Sequence, residues 1–442
     1  MELAENKARP RIGRLLAVLL VLLAALAPAA SAAEKVKLVV GGPANTSGAV
    51  ERLQAYFAEF YKTHPHIEIE INYSGGFDEF YERVAVQHAT GTAPDLINMA
   101  VHWLVPYAQS GVLLPLDEYI ARDGIDLSEY FPDSINIWRW QEGAYLAGTG
   151  SLYTMPFNWQ TSIAFFYNQD LFDRSGAVYP DDTWTWDTFV EMGKKFTVDT
   201  NGDGEPDQWG TNILAGQFEL YTRAWQAGGE LINEDYSASL ADSEQVVEAI
   251  RWLAELSTVH GIARGGLVEF EQGKLATITT GQWNVGLRFP ETIGDAFRYD
   301  LAPPIRHPRT GSNVVQAHSN GWGISAATKH PDEAWELVKF LTTEPGLRLQ
   351  AELHSIAVPH IPVAREFLYV TDRKIQPYSW YLVADSLLTA RQPYVGARTN
   401  DIWRAHSVPL SQAVQGQISP EEAALRIKHA VDVILQDIRR AP

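Results

Sequence analysis

A chain of 442 residues, 46% of them hydrophobic, is long enough for two or three domains and buries a large core without covalent staples. Its formal net charge of −19, from 35 Lys+Arg against 54 Asp+Glu, argues against nucleic acid and anionic membrane surfaces as partners. It contains no cysteine, which excludes disulfides, thiolate metal sites, cysteine nucleophiles and a lipid-modified N-terminal cysteine.

The chain opens with Lys7, Arg9, Arg11 and Arg14, followed by the apolar run "LLAVLLVLLAALA" (15–27) and the small residues "APAASAA". This order predicts a secretory signal over residues 1–33, cleaved after Ala32 or Ala33. The run is short of the ~20 residues that a membrane span needs. The remaining chain, with 31 Lys+Arg and 52 Asp+Glu, carries a net −21 and is expected to be an exported, periplasmic protein.

"VKLVVGG" (36–42) is an apolar, β-branched run that reads as a buried strand. A helix follows on Val50, Leu53, Phe57 and Phe60, with Thr46 and Ser47 as candidate caps and Pro65 beyond its end. "IEIEINY" (67–73) alternates as a second strand, "DEFYERVAVQHATG" is a helix stopped by Gly91, and "DLINM" (95–99) is a third strand. Strand, helix, strand, helix, strand predicts right-handed βαβ units on a parallel sheet. Ligands on such sheets bind beyond the carboxyl ends of the strands. The α/β pattern recurs in "SIAFFYN" (162–168), "TWDTFVEMGKKFT" (185–197), "SEQVVEAIRWLAELSTVHG" (243–261) and "LATITTG" (275–281), and closes with the amphipathic helices "DEAWELVKFLT" (332–342) and "SPEEAALRIKHAVDVILQDIRR" (419–440). No linker rich in Pro, Gly or Ser separates the halves, so two lobes joined by several chain crossings are expected.

Catalytic motifs are missing: there is no GxSxG elbow, no P-loop and no HExxH, so no enzyme is expected. The His64/His66 pair around a proline and the adjacent Asp181 and Asp182 read as ordinary loop and capping residues. The positive signal is aromatic. Of fourteen tryptophans, Trp103, Trp159, Trp225, Trp283 and Trp322 sit where loops leave strands, beside Asn158, Gln160, Gln226, Asn284 and Asn320. Any one of them can be core filler. As a set they suit a sugar, whose apolar CH faces stack on aromatic rings while amides take its hydroxyls.

"GTAPDLINMAVHWLVPYAQSGVLLPLDEY" (91–119), "MPFNWQTSIAFFYNQDLFDRSG" (155–176), "TWTWDTFVEMGKKFT" (183–197), "FEQGKLATITTGQWNVG" (270–286) and "DEAWELVKFLTTEPG" (332–346) resemble, in order, the successive blocks of the family 1 extracellular solute-binding proteins, the sugar receptors of ABC importers. The resemblance, maltose-binding-protein-like, implies an α/β, two-lobed periplasmic-binding-protein fold of type II, with parallel-sheet lobes joined by a multi-crossing hinge. It implies an N-lobe of residues 34–157 plus about 301–345, a C-lobe of about 158–300 plus 346–442, and a ligand cleft between them. By position it implies ligand contacts at Asn45, Thr46, His102, Trp103, Gln160, Trp225, Trp283 and Trp403, with Trp283 of the "GQW" block as the stacking platform and Trp403 of "NDIWR" as a second; Trp322 joins the candidate contacts from the aromatic set above. His102, Trp103 and Gln160 stand where charged residues are found in maltose-binding protein, which argues against maltose itself. The implied partners are a carbohydrate and the permease subunits of an ABC transporter, and the implied state is a monomer. A receptor for glycerol phosphate diesters or another non-sugar solute, using Arg391 or Arg398, is the alternative, followed by a secreted carbohydrate-active enzyme.

"DTNGDGEPDQWG" (199–210) matches the calcium-loop template at Asp199, Asn201 and Asp203 (positions 1, 3 and 5), Gly204 (the turn), Glu205 (a carbonyl) and Asp207 (position 9). Position 12 is Gly210 and not a bidentate glutamate, so the expected Ca2+ is structural and needs a borrowed ligand or binds weakly. A metal-free turn rich in Asp and Asn is the alternative.

Overall fold

The computed structural model describes residues 35–44, 49–285, 288–354, 357–368 and 376–440. The signal expected at 1–33 and the expected contacts Asn45 and Thr46 lie outside them. No helix among the described residues is long and apolar enough to cross a membrane.

The first lobe is built as its hydrophobic pattern predicts. Val36–Gly42 (β1) buries Leu38 and Val40 completely, Ala49–Phe60 (α1) crosses over, and Ile67–Tyr73 (β2) pairs with β1 in parallel, residue for residue from Val36–Ile67 to Gly42–Tyr73. Phe77–Thr90 (α2) then leads to Leu96–Ala100 (β3) on the other side of β1. β2 is the edge strand, so Glu68 and Glu70 face water between its isoleucines; β3 lies inside the sheet and is apolar except for Asn98. Gly91 ends α2 with φ of 69°, donating its N–H to the carbonyls of Gln87 and His88, a left-handed cap that glycine adopts without steric cost.

Beyond β3 come Met155–Pro156 (β4), Gln160–Thr161 (β5), Ala164–Asn168 (β6), helices Gln217–Gln226 (α3) and Glu244–Thr258 (α4), then Thr277–Thr280 (β7), Tyr299–Ala302 (β8), Ala317–His318 (β9) and Asn320–Ile324 (β10). Among the described residues the first sheet has the order β2-β1-β3-β10-β4, with β10 antiparallel to both its neighbours, and the second has the order β8-β6-β7. The second sheet is antiparallel at both ladders, where the sequence pattern predicted parallel strands. Its strands are joined by long helical excursions and not by single βαβ crossovers, so the right-handed parallel rule does not apply to them. In this lobe parallel pairing appears in isolated bridges outside the three strands, among them Trp209–Leu275, Thr211–Ala263 and Thr185–Arg306.

The last third of the chain divides between the lobes. Pro331–Thr342 (α5), Glu344–His354 (α6) and Ile361–Leu368 (α7) stay with the first lobe: Tyr130 donates to the Thr342 carbonyl at 2.7 Å, Gln350 to the Phe157 carbonyl at 2.8 Å, and His360 lies 3.1 Å from Glu129. Residues 346–368, expected in the C-lobe, therefore pack on the other lobe, because their apolar stripe is buried against the first core (Leu347, Ala351, Val363 and Ala364). Tyr381–Thr389 (α8) packs on β5, and only Thr399–Val414 (α9) and Pro420–Arg440 (α10) return to α3 and α4 in the second lobe.

Three segments cross between the lobes side by side. β5 runs from the first sheet to the second, β9 runs back antiparallel to it, and Arg391 joins β9 by accepting from Ala317 N–H and donating to the Val315 carbonyl. Trp138 donates to Ser319 Oγ at 3.0 Å, Ser319 Oγ to the Asn158 carbonyl at 2.9 Å, and Asn320 N–H to Asn158 Oδ1 at 2.7 Å, which fastens this ribbon to the first lobe.

Candidate ligand-binding site

The space between the lobes is lined from three directions. On the first lobe, the carboxyl end of β3 tightens into a single turn, Val101–Trp103, which turns His102 toward the second lobe. On the floor, Gln160 of β5 stands directly opposite His318 of β9. On the second lobe, three aromatic residues converge from different elements: Phe218 at the start of α3, Trp283 in the turn after β7, and Trp403 in the first turns of α9.

The rings touch across the gap. His102 lies 5.5 Å from Phe77 of α2, stacked, and 4.9 Å from Trp403. Phe218 lies 6.0 Å from Trp403, 6.2 Å from Trp283 and 6.2 Å from His318, and Trp283 lies 6.0 Å from His318. Trp283 is 38% exposed, unusual for so large a ring. The "GQW" glycine explains its pose: a Cβ on Gly281 would run into the Trp283 indole, so only glycine lets that ring lie back along the chain. A sugar ring between two aromatic faces needs roughly 7–8 Å, two van der Waals contacts. The lobes must therefore part before a sugar enters. Arg404 spans the closed gap to Asp78 at 2.6 Å, an exposed pair of small energetic weight.

Of the residues singled out from sequence, His102, Gln160, Trp283 and Trp403 come together here. Trp103 turns back and stacks on Tyr81 at 5.2 Å, within the first lobe. Trp322 is buried in the middle of β10 beside Phe157, and Trp225 is buried in the second lobe, where it donates to Glu230 and lies under the Arg391 guanidinium. Neither tryptophan joins the ring cluster. The helix holding Trp225 presents Phe218 to the cleft instead: seven residues apart the two share a face, but a rise of 1.5 Å per residue separates them by roughly 10 Å. Phe77, Phe218, Gln282 and His318 were not singled out. The signal for Phe218 lay in its helical spacing from Trp225, whereas His318 carried no motif of its own.

The polar chemistry of the cleft is neutral and incompletely paired. His102 Nδ1, Gln160 Oε1, Gln282 Nε2, His318 Nδ1 and Trp403 Nε1 are buried without a hydrogen-bond partner. Each such group costs about 1–3 kcal/mol. Burial, reinforced by His318, pushes the His102 imidazole down to about 3, and burial pushes His318 down to about 4, so both rings are neutral at pH 7. The cations nearby are committed elsewhere: Arg391 to Glu230, Arg398 to Asp401 and Asp437, and Arg404 to Asp78. Indoles, amides and neutral imidazoles suit an uncharged polyol. The arginines proposed for a phosphate-bearing solute already hold carboxylates.

The loop 199–210 lies elsewhere, exposed, and is tied by Asx turns. Asp199 accepts from the N–H groups of Gly202 and Gly204 at 2.6 and 2.8 Å, Asn201 from Asp203 N–H, Asp203 from Glu205 N–H, and Asp207 from Thr200. Gly204 takes the sharp turn with φ of 96°. Among the described residues no group of three or more His, Cys, Asp or Glu side chains is arranged to hold a metal. The turn thus fits the calcium template at its backbone but not in its donor set.

Residues 44–347 match the family of bacterial extracellular solute-binding proteins. The chain is 24% identical over 327 residues to the maltotriose-binding protein of Pyrococcus abyssi, an alignment that covers 70% of this chain and 63% of that relative's length. It superposes with a TM-score of 0.79 at 22% identity on an ABC substrate-binding protein from Listeria monocytogenes in complex with cycloalternan, covering 91% of this chain and 99% of the other. The maltose/maltodextrin-binding domain MalE from Bdellovibrio bacteriovorus, bound to maltotriose, superposes with a TM-score of 0.73 at 20% identity, covering 91% and 100%. These likenesses carry the two-lobed α/β architecture.

Proposed function

Because this chain belongs to the bacterial extracellular solute-binding proteins, we propose that it captures a carbohydrate between its lobes and delivers it to the permease subunits of an ABC importer. The observation that carries the sugar reading is the ring cluster of Trp283, Phe218 and Trp403 set against unpartnered neutral polar groups on Gln160, Gln282 and His318. Flat rings supply the apolar platform for a sugar face, and amides and imidazoles supply hydroxyl partners. The family is one of binding proteins and not of enzymes. Mechanism then reduces to population shift. The open and closed forms interconvert, the sugar contacts both lobes only in the closed form, and ligand draws the equilibrium toward closure by its differential affinity. In this reading the exported chain acts in the periplasm as a monomer.

A melting-temperature screen against maltotriose, cycloalternan, glucose, and mannose and galactose oligosaccharides tests it. A ligand at 100 times its dissociation constant adds about 2.7 kcal/mol of stability. A panel in which only phosphorylated or other anionic solutes stabilise the protein would replace the carbohydrate reading. Accumulation of new reducing ends during incubation with an oligosaccharide would instead reveal an enzyme.

The spacing of Asp199, Asn201, Asp203, Glu205 and Asp207, with Gly204 in the turn, supports a second proposal: weak structural calcium. The ion would draw the carboxylates of Asp203 and Asp207 off their present backbone partners. Millimolar Ca2+ should then raise the melting temperature and a chelator reverse it, and Asp203→Ala should remove the difference while sugar affinity stays unchanged. An identical melting temperature with millimolar Ca2+ and with chelator leaves a metal-free turn.

A further inference from the structure

The crossing strand β9 carries one side chain whose chemistry is unused. His318 is buried, and its ring is flanked by Phe218 and Trp283. Its Nε2 lies 3.2 Å from Asn320 Oδ1, while its Nδ1 has no partner. A neutral imidazole carries one proton. With a carbonyl oxygen facing Nε2, that proton stays on Nε2, and Nδ1 presents a lone pair. The backbone that carries Asn320 is held in place, because its N–H donates to Asn158 Oδ1 and the Ser319 hydroxyl beside it donates to the Asn158 carbonyl. Directly opposite in the ribbon stands Gln160, whose Oε1 is also buried and unpartnered. Side chains facing each other in an antiparallel pair have Cβ atoms about 4.5–5.5 Å apart. The floor of the cleft thus offers two acceptors side by side. Gln282 Oε1 accepts from Thr161 N–H on the same ribbon, which leaves the Gln282 Nε2 donor unpaired beside them.

The geometry points to His318 as a specificity-determining residue: Nδ1, held as an acceptor by Asn320, receives the O–H of a ligand hydroxyl while Gln160 Oε1 receives that of a neighbouring one. The inference rests on the carbohydrate reading and deepens it, since an acceptor pair selects a ligand that carries two adjacent hydroxyl donors and discriminates against one that lacks either. The reading strand is also one of the three crossings, so the group that senses the sugar moves with the hinge. Asn320 is a positioning residue, acting through the tautomer of His318.

The test takes whichever sugar of the panel above stabilises the wild-type protein and measures its affinity by calorimetry. His318→Leu keeps the side chain apolar and removes the acceptor; affinity is expected to fall about 10- to 100-fold, the effect of leaving a hydroxyl donor without its acceptor. Unchanged affinity overturns the role of His318 while the carbohydrate reading stands; a wild-type protein that binds no sugar of the panel overturns both. Nitrogen NMR of histidine-labelled protein provides a readout that needs no ligand. The wild-type His318 signals should report a proton on Nε2 alone, Asn320→Ala should give mixed tautomers, and Asn320→Asp should restore the wild-type form. A wild-type ring protonated on Nδ1, or a tautomer indifferent to Asn320→Ala, overturns the assignment.

Discussion

Trp283→Ala is expected to cost about 2–4 kcal/mol of sugar affinity, a loss of roughly 30- to 1000-fold, while the fold stays intact. The indole is 38% exposed and meets Phe218 and His318 only edge-on, so its removal opens no closed cavity in either core. What disappears is the broad apolar face available to a sugar when the lobes part. Gly281 sharpens the expectation, since the chain is shaped there to let the ring lie back. Calorimetry against the sugar identified by the panel gives the affinity, and a urea titration gives the stability. Unchanged affinity would return Trp283 to the status of packing, and the cleft assignment would lose its main platform. A large drop in stability with unchanged affinity would mean that the exposed face supports the second lobe and not a ligand.

Acidification is expected to destabilise the protein steeply between pH 6.5 and 5. His102 and His406 are held down to about 3 and His318 to about 4, in each case chiefly by burial. The sign follows from the proton count. Below pH 6.5 the unfolded chain protonates these rings and the folded protein does not, so stability is complete above the unfolded value and is lost as pH falls. Each histidine contributes about 1.4 kcal/mol per pH unit once pH lies well below 6.5, hence roughly 2 kcal/mol each by pH 5. That is large against a total of about 5–15 kcal/mol. A carboxylate held well below its usual range, such as Asp123 between Arg122, Lys339 and Trp335, titrates in more acid solution, and Asp300, raised by burial, acts with the opposite sign, so a loss of stability in this window comes from the histidines. His406 has both ring nitrogens buried without partners beside Tyr221. His406→Leu should therefore flatten the profile by about a third, the share of one of three similar titrations. Denaturant midpoints that stay level from pH 7 to 5 in the wild-type protein would show that the buried rings accept protons without cost.

The sequence by itself determined the elements of the first lobe and the class of the molecule. β1, β2, β3 and the helices between them follow from local causes: a period of two in "IEIEINY", predominantly apolar residues in the inner strands, and a glycine that ends α2. Trp283 was reachable through the resemblance of the "GQW" block, whereas the pose that Gly281 permits came only from the structure. Tertiary structure alone decided which tryptophans reach the cleft. Trp225 and Trp283 look alike in sequence, yet one is buried between Tyr221 and the Arg391 guanidinium and the other stands at the gap, since which end of a helix faces the other lobe depends on packing and not on periodicity. The antiparallel second sheet and the placement of residues 346–368 on the first lobe were hidden for the same reason: an apolar stripe states that it will be buried but not against what. His318 was the least legible residue of all. Its role comes from a strand of two residues that pairs His318 with Gln160, far away in the sequence, and from Asn320, which holds its proton, a juxtaposition no local pattern encodes.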